Sequence, residues 1–301
     1  MKRLFKNRVV LGLALLFLVP NSGSLHGQPG ASTLPCASCA VWNTPQTPFK
    51  VFGNTYYVGP HGLSSILIAS DAGLILIDGA LPESAPLIAA NIRTLGFRIE
   101  DVKLILDSHA HFDHAGGIAE LQRLSGAEVA ASEWSAAVMT KGGVSRDDPQ
   151  YGTIRPIAPV ARVRTLHDGE SVHVGQLVLT AHLTPGHTPG GTSWTWKSCE
   201  ATRCLDMVYA DSLTPVSAEG FKYTQTPGFP GNFEKSFAFL DTTPCDILLT
   251  PHPDASSLWD RLAARKRGVM PDPIIDSTQC RQLADRSREQ LRQRIATETG
   301  R

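Results

Sequence analysis

The chain has 301 residues, enough for one large domain or two small ones. Lys+Arg and Asp+Glu both total 28, so the formal net charge is zero, and no basic surplus points to nucleic acid or to a membrane surface as partner. A hydrophobic content of 42% suits a globular domain with a substantial core.

The N-terminus reads as a targeting segment. Lys2, Arg3, Lys6 and Arg8 make a basic start, and an apolar run follows over 9–19. That run is short of the ~20 residues a membrane span needs. Small and polar residues over 20–28 come next, as in a signal peptide with its cleavage region. Residues 1–27 are therefore expected to be removed on export, leaving 28–301 in the periplasm, free of the membrane after cleavage. A monomer is expected, and the resemblance given below implies that 28–301 is a single domain. No cysteine follows the apolar run closely, so a lipid anchor is not expected. Six cysteines fit an oxidising compartment. Cys199 and Cys204 flank a short turn that they can close. Cys245 precedes a strand and Cys280 begins the last helix, so that pair can tie down the C-terminus. Cys36 and Cys39 are near enough to pair with each other. Sequence alone leaves the pairing open. A zinc cluster is the rival, but Cys36-x-x-Cys39 has no second pair at finger spacing.

A loop rich in proline and threonine covers 41–48, with Trp42 read as a core plug. Residues 49–58 alternate weakly, as a strand does. Segments 64–70 and 73–78 read as a hairpin turned at Asp71-Ala72-Gly73. Its apolar run 74–77 is a fully buried strand, and Asp78 at the end is placed to support neighbouring loops. An amphipathic helix is expected over 82–95, capped by Gly96, and a short buried strand over 102–106.

Directly after that strand stands Asp107-Ser108-His109-Ala110-His111-Phe112-Asp113-His114-Ala115-Gly116-Gly117. Residues 116–124 then read as a helix ending at Gly126. The polar cluster thus sits in a loop at the carboxyl end of a strand, where open α/β sheets place their sites. Neutral imidazole and carboxylate are ready zinc ligands. In a loop, His109 and His111 can face one way while Asp113 and His114 face another, which suits two neighbouring metals better than one.

Further along, 128–131 reads as a strand, 133–140 as a helix and 141–159 as a Gly-, Asp- and Pro-rich loop near the site mouth. Gln150 on that loop is within reach of substrate, although a solvated position is the commoner outcome. Residues 163–183 read as a pair of strands turned near Gly175. Their histidines His167, His173 and His182 are isolated and are read as structural or exposed. His61 has no ligand partner nearby, and His26 falls in the removed segment. In Thr184-Pro185-Gly186-His187-Thr188-Pro189-Gly190-Gly191-Thr192 a histidine is held in a rigid turn, followed by a strand over 193–197. Residues 206–209 read as a strand running into Ala210-Asp211-Ser212-Leu213-Thr214. A helix over 232–240 and a buried strand over 246–250 follow, and the strand ends in Pro251-His252-Pro253. A long charged helix over 277–297 packs on the outside. The pattern falls into two halves, each with strands followed by helices.

The motif His-x-His-x-Asp-His at 109–114, with His187 and His252, resembles the metallo-β-lactamase superfamily. The resemblance covers nearly all of the mature chain and implies a four-layer αββα sandwich with the site in the cleft between the sheets. It assigns His109, His111 and His187 to a first zinc, with a position left open for water, and Asp113, His114 and His252 to a second. No cysteine stands at 210–214, so the ligand set looks like that of the third subclass of class B β-lactamases. Ser212 and Thr214 resemble positions that hold the substrate carboxylate, with strand-end capping as the alternative. The implied activity is opening of the β-lactam ring in penicillins, cephalosporins and carbapenems, with antibiotic resistance as its outcome. Two zinc ions would lower the pKa of a bridging water toward about 7, and Asp113 would orient the resulting hydroxide. No Ser-x-x-Lys motif of the serine enzymes is present. Superfamily members that cleave thioesters or lactones place a metal-bridging Asp in this region. Asp211 is the residue to watch, and such a hydrolase is the alternative reading. The export signal argues against an intracellular thioesterase.

Overall fold

The computed structural model describes residues 34–300, so the expected signal segment and His26 lie outside the described residues. After one turn of helix, α1 (Cys39–Trp42), the chain forms β1 (Phe49–Phe52), β2 (Thr55–Tyr57), β3 (Ile66–Ser70) and β4 (Gly73–Ile77), an antiparallel meander. The single strand expected over 49–58 is therefore a hairpin, folded at Gly53-Asn54. Alternation alone does not mark that turn. Three parallel strands then extend the sheet, each reached over a helix: α2 (Ala85–Thr94) leads to β5 (Val102–Leu106), α3 (Ile118–Ser125) to β6 (Glu128–Ser132), and α4 (Glu133–Lys141) to β7 (Val163–Leu166).

Residues 163–183 hold three strands, not two. β7 completes the first sheet, while β8 (Ser171–Val174) and β9 (Leu177–Leu183) start a second. The break falls at Asp168-Gly169, where Gly169 has φ +79°, a backbone state that glycine adopts freely. β10 (Thr192–Glu200) and β11 (Arg203–Tyr209) continue antiparallel, and β12 (Ile247–Leu249) joins parallel to β11 after α5 (Phe229–Thr242). Two last helices follow, α6 (Leu258–Lys266), which the sequence pattern did not reveal, and α7 (Gln279–Thr299).

Period-two alternation sorts the strands' side chains into layers. In β4, Leu74 and Leu76 face helices α2–α4, while Ile75 and Ile77 face the second sheet. On β11, Met207 and Tyr209 face the first sheet, while Val208 packs under α5 and α7. Helices, sheet, sheet and helices therefore form the four layers expected, and both strand faces are apolar because both are covered. Disulfides join Cys36–Cys39, Cys199–Cys204 and Cys245–Cys280. The second closes the β10–β11 turn, and the third fixes the start of α7 beside β12. Among the described residues no helix is long and apolar enough to cross a membrane.

Candidate metal centre

All the site loops leave the carboxyl ends of strands. The loop after β5 carries His109, His111, Asp113 and His114. It is pinned from below: Asp78, at the end of β4, accepts hydrogen bonds from the Ser108 amide, the Ser108 hydroxyl and the Tyr209 hydroxyl, each at 2.7 Å. Asp78 thus supports the loop as expected. Burial pushes its carboxyl up to about 7, against the pull of those bonds. Gly117 is where the loop meets the chain after β4, since a Cβ there would stand 2.3 Å from the Gly79 carbonyl oxygen.

His187 sits in the β9–β10 loop. Gly186 before it has φ +148°, and a Cβ there would meet the Phe233 ring at 2.6 Å, so the turn accepts only glycine without distortion. The Thr192 amide donates to the Ser108 carbonyl at 2.8 Å, which fastens this loop to the first. His252 follows β12.

These residues converge in two sets. His109, His111 and His187 bring three ring nitrogens together, and Asp113, His114 and His252 bring two nitrogens and an oxygen. Within each set the donor atoms lie within 4.8 Å of one another. The sets adjoin, with His109 and His114 ring centroids 4.4 Å apart. Burial first, then the neighbouring imidazoles, holds His109, His114 and His187 well below the usual imidazole range, with Asp113 opposing at the first two. The rings are therefore neutral and keep a lone pair to donate. Burial works against ionisation of Asp113, but the adjacent His114 and His252 prevail and hold its carboxyl well below the usual range.

Each histidine of the first set is turned by a partner on its far nitrogen. Asp211 Oδ1 lies 2.7 Å from His109 Nδ1, Asp148 Oδ2 lies 2.9 Å from His111 Nε2, and His187 Nδ1 donates to the Thr214 carbonyl at 2.9 Å. Such contacts fix the tautomer and aim the free nitrogen. His109 Nε2 is buried with no hydrogen-bond partner, a state that costs about 1–3 kcal/mol unless something fills it. In the second set, His114 Nε2 and His252 Nε2 each stand 3.4 Å from Asp113 Oδ2. Two ligands ~2.1 Å from a tetrahedral ion are separated by about 3.4 Å. The donors thus fit a divalent cation of the zinc type.

The structure brings all six expected ligands together. Asp211 belongs to neither donor set. It is fully buried behind His109, and burial raises its carboxyl well above the usual range. Thr214 Oγ1 lies 3.2 Å from His187 Nδ1, so this residue braces a ligand whatever else it touches. Ser212 is half-buried in the wall of a cavity beside His252. Gln150 reaches the centre after all, with Nε2 3.3 Å from His187 Nε2. Trp42, read as a core plug, is half-buried against the helix-side core and also packs on the His252 ring at 5.2 Å. Asp148 was not singled out in the sequence. It is one of two adjacent aspartates in a polar loop, and only tertiary structure shows which one turns inward.

Two donor triads at the strand ends of an αββα sandwich define a metallohydrolase. The profile described as the metallo-beta-lactamase superfamily matches residues 58–273, and the chain belongs to that superfamily. Among solved structures, it is 53% identical to the Rm3 metallo-beta-lactamase, with a TM-score of 0.86 over 88% of this chain and 99% of that one. It is 52% identical to MEM-A1, a subclass B3 metallo-beta-lactamase from a soil metagenome library, with a TM-score of 0.84 over 86% and 99%. Among curated proteins, a hydroxyacylglutathione hydrolase of Rhodopseudomonas palustris is 31% identical over 129 residues, 43% of this chain. The chain spans only 41% of that relative's length.

Proposed function

We propose that this chain is an exported zinc-dependent β-lactamase of the third subclass, acting as a monomeric domain over 28–301 in the periplasm after removal of residues 1–27. In this reading it opens the lactam ring of penicillins, cephalosporins and carbapenems, and so confers antibiotic resistance. His109, His111 and His187 hold one zinc, and Asp113, His114 and His252 hold a second. When bound, the pair supplies Lewis acidity and makes water nucleophilic at neutral pH.

The chain's own residues do the rest. Asp113, kept ionised by its histidine neighbours, is the acceptor that orients the attacking water. Asp211, Asp148 and Thr214 fix the ring orientation of the first three histidines. Ser212 and Thr214 line the approach for the substrate carboxylate. A buried floor around Ser108 and Asp78 keeps the loop rigid, so little reorganisation is needed during reaction.

One observation carries the reading beyond the resemblance to subclass B3 structures. Asp211 Oδ1 is engaged 2.7 Å from His109 Nδ1, and Asp211 belongs to neither donor set, whereas a thioesterase or lactonase of the superfamily would use a carboxylate here as a metal ligand. The test is parallel turnover of nitrocefin and of a glutathione thioester, each repeated after chelation and zinc restoration. Zinc-dependent nitrocefin hydrolysis with little thioester turnover is expected. Thioester turnover without β-lactam turnover by zinc-loaded protein overturns the reading.

A further inference from the structure

A cavity of 250 Å³ opens beside the second donor set, lined by Ser212 and Thr214 from the loop after β11, by His252, and by Arg286 and Gln290 from α7. Arg286 is the one arginine or lysine on its wall. Its guanidinium donates to the Ala255 carbonyl at 3.1 Å. Among the described residues it makes no other hydrogen bond and no ion pair, so the remaining N–H groups of its fork are uncommitted. The side chain is exposed, and the helix that carries it is held firmly. Leu283 and Ala284 anchor this stretch of α7 in the core under β11 and β12, and the Cys245–Cys280 disulfide fixes the helix start less than two turns before Arg286. The bond to Ala255 ties the side chain to the turn that carries His252.

From these observations we infer that Arg286 is the charged anchor for the carboxylate of the substrate. This rests on the β-lactam reading. Penicillins, cephalosporins and carbapenems carry an anionic carboxylate on the atom next to the lactam nitrogen, so a fixed cationic side chain one small step from the reacting bond is complementary to it. The cavity offers that placement: it borders His252 of the second donor set and no ligand of the first. Ser212 and Thr214 offer hydroxyls on the same wall that can donate to the carboxylate, but a hydroxyl cannot supply charge. A guanidinium fork, in contrast, matches a carboxylate in both charge and geometry. Arg286 is thus a specificity-determining residue contributed by the outer helix layer, outside the motifs that hold the metal.

The experiment compares zinc-loaded wild type, Arg286→Met and Arg286→Lys on a cephalosporin and on its methyl ester, with zinc content and far-UV circular dichroism measured for each protein. Binding of the hydrolysed product is followed by calorimetry as a readout independent of turnover. Arg286→Met is expected to raise KM for the acid roughly 10-fold or more, as loss of a charged hydrogen bond does, with kcat nearly unchanged. KM for the ester should stay at the wild-type value, and the product should bind correspondingly more weakly. Arg286→Lys should recover part of the loss. Equal effects on acid and ester, or none on either, would overturn the inference, the former by showing that Arg286 only props the His252 turn. If wild type hydrolyses neither compound, it is the β-lactam reading that fails, and the role of Arg286 falls with it.

Discussion

Asp211→Ala separates a carboxylate that orients a ligand from one that binds metal. Both side chains of the His109–Asp211 pair have 0% exposure, and the contact is 2.7 Å. Removing the carboxylate leaves His109 Nδ1 buried with only the Ser108 hydroxyl, 3.5 Å away, as a weak acceptor, at a cost of up to about 1–3 kcal/mol, and frees the ring to turn its other nitrogen away from the donor set. Loss of such an outer partner lowers metal affinity about 10–100-fold, which equals about 1.4–2.7 kcal/mol. The two estimates agree, as they should if the orienting bond is the whole effect. Asp211→Asn keeps an acceptor for the ring and should lose less than the alanine variant. Competition against a chromophoric zinc chelator measures both affinities, and chemical denaturation of the metal-free proteins checks the fold. Wild-type affinity in Asp211→Ala would refute the orienting role. Complete loss of two zinc ions at once would instead make Asp211 a bridging ligand and move the chain toward the thioesterase reading.

Asp113→Ala should lose most nitrocefin turnover while keeping its circular dichroism, because the carboxylate is held by the site and not by the core; retained wild-type turnover would contradict its role. Asp148→Ala should weaken zinc affinity roughly 10-fold by releasing His111 Nε2, read in the same chelator competition, and a change confined to stability would show that the 141–159 loop is only a cover. Thiol titration of the denatured, non-reduced mature protein should find no free cysteine, and any measurable thiol contradicts one of the three disulfides.

The metal ligands were legible in the sequence because each declares itself locally. His109 to His114 fall within one short loop after an apolar run, and His187 and His252 stand in Pro- and Gly-rich turns that follow strands. Their convergence follows from strand order, which the resemblance to the superfamily named and the two-half pattern only suggested. Two kinds of fact were hidden. The hairpin inside 49–58 and the passage between sheets at Asp168-Gly169 are single turns, and nothing in a run of alternating residues says whether the strand after a turn pairs with its predecessor or with another sheet. The partners that orient the ligands were hidden for a different reason. Asp148 and Thr214 act at distances of 37 and 27 residues from the histidines they serve, so no local pattern connects them.

That division has a physical cause, and it bears on how the cleft can vary. A ligand must present a particular atom type, so its identity is constrained wherever it stands. An orienting partner need only offer an acceptor, and at His187 the Thr214 backbone carbonyl does so, with the Thr214 hydroxyl 3.2 Å from the same nitrogen. A substrate anchor is freer still: it must carry the right charge and reach the cavity, and α7 meets both requirements from the outer layer. The metal-holding loops and the substrate-facing wall are therefore supplied by separate structural layers. Substitutions on α7 can retune which anion is accepted without disturbing the Ser108–Asp78–Tyr209 bonds that hold the ligand loop. The converse does not hold, because Thr214 braces His187 and also lines the cavity. A change at Thr214 should perturb metal binding and substrate binding together, whereas a change at Arg286 should leave metal binding untouched.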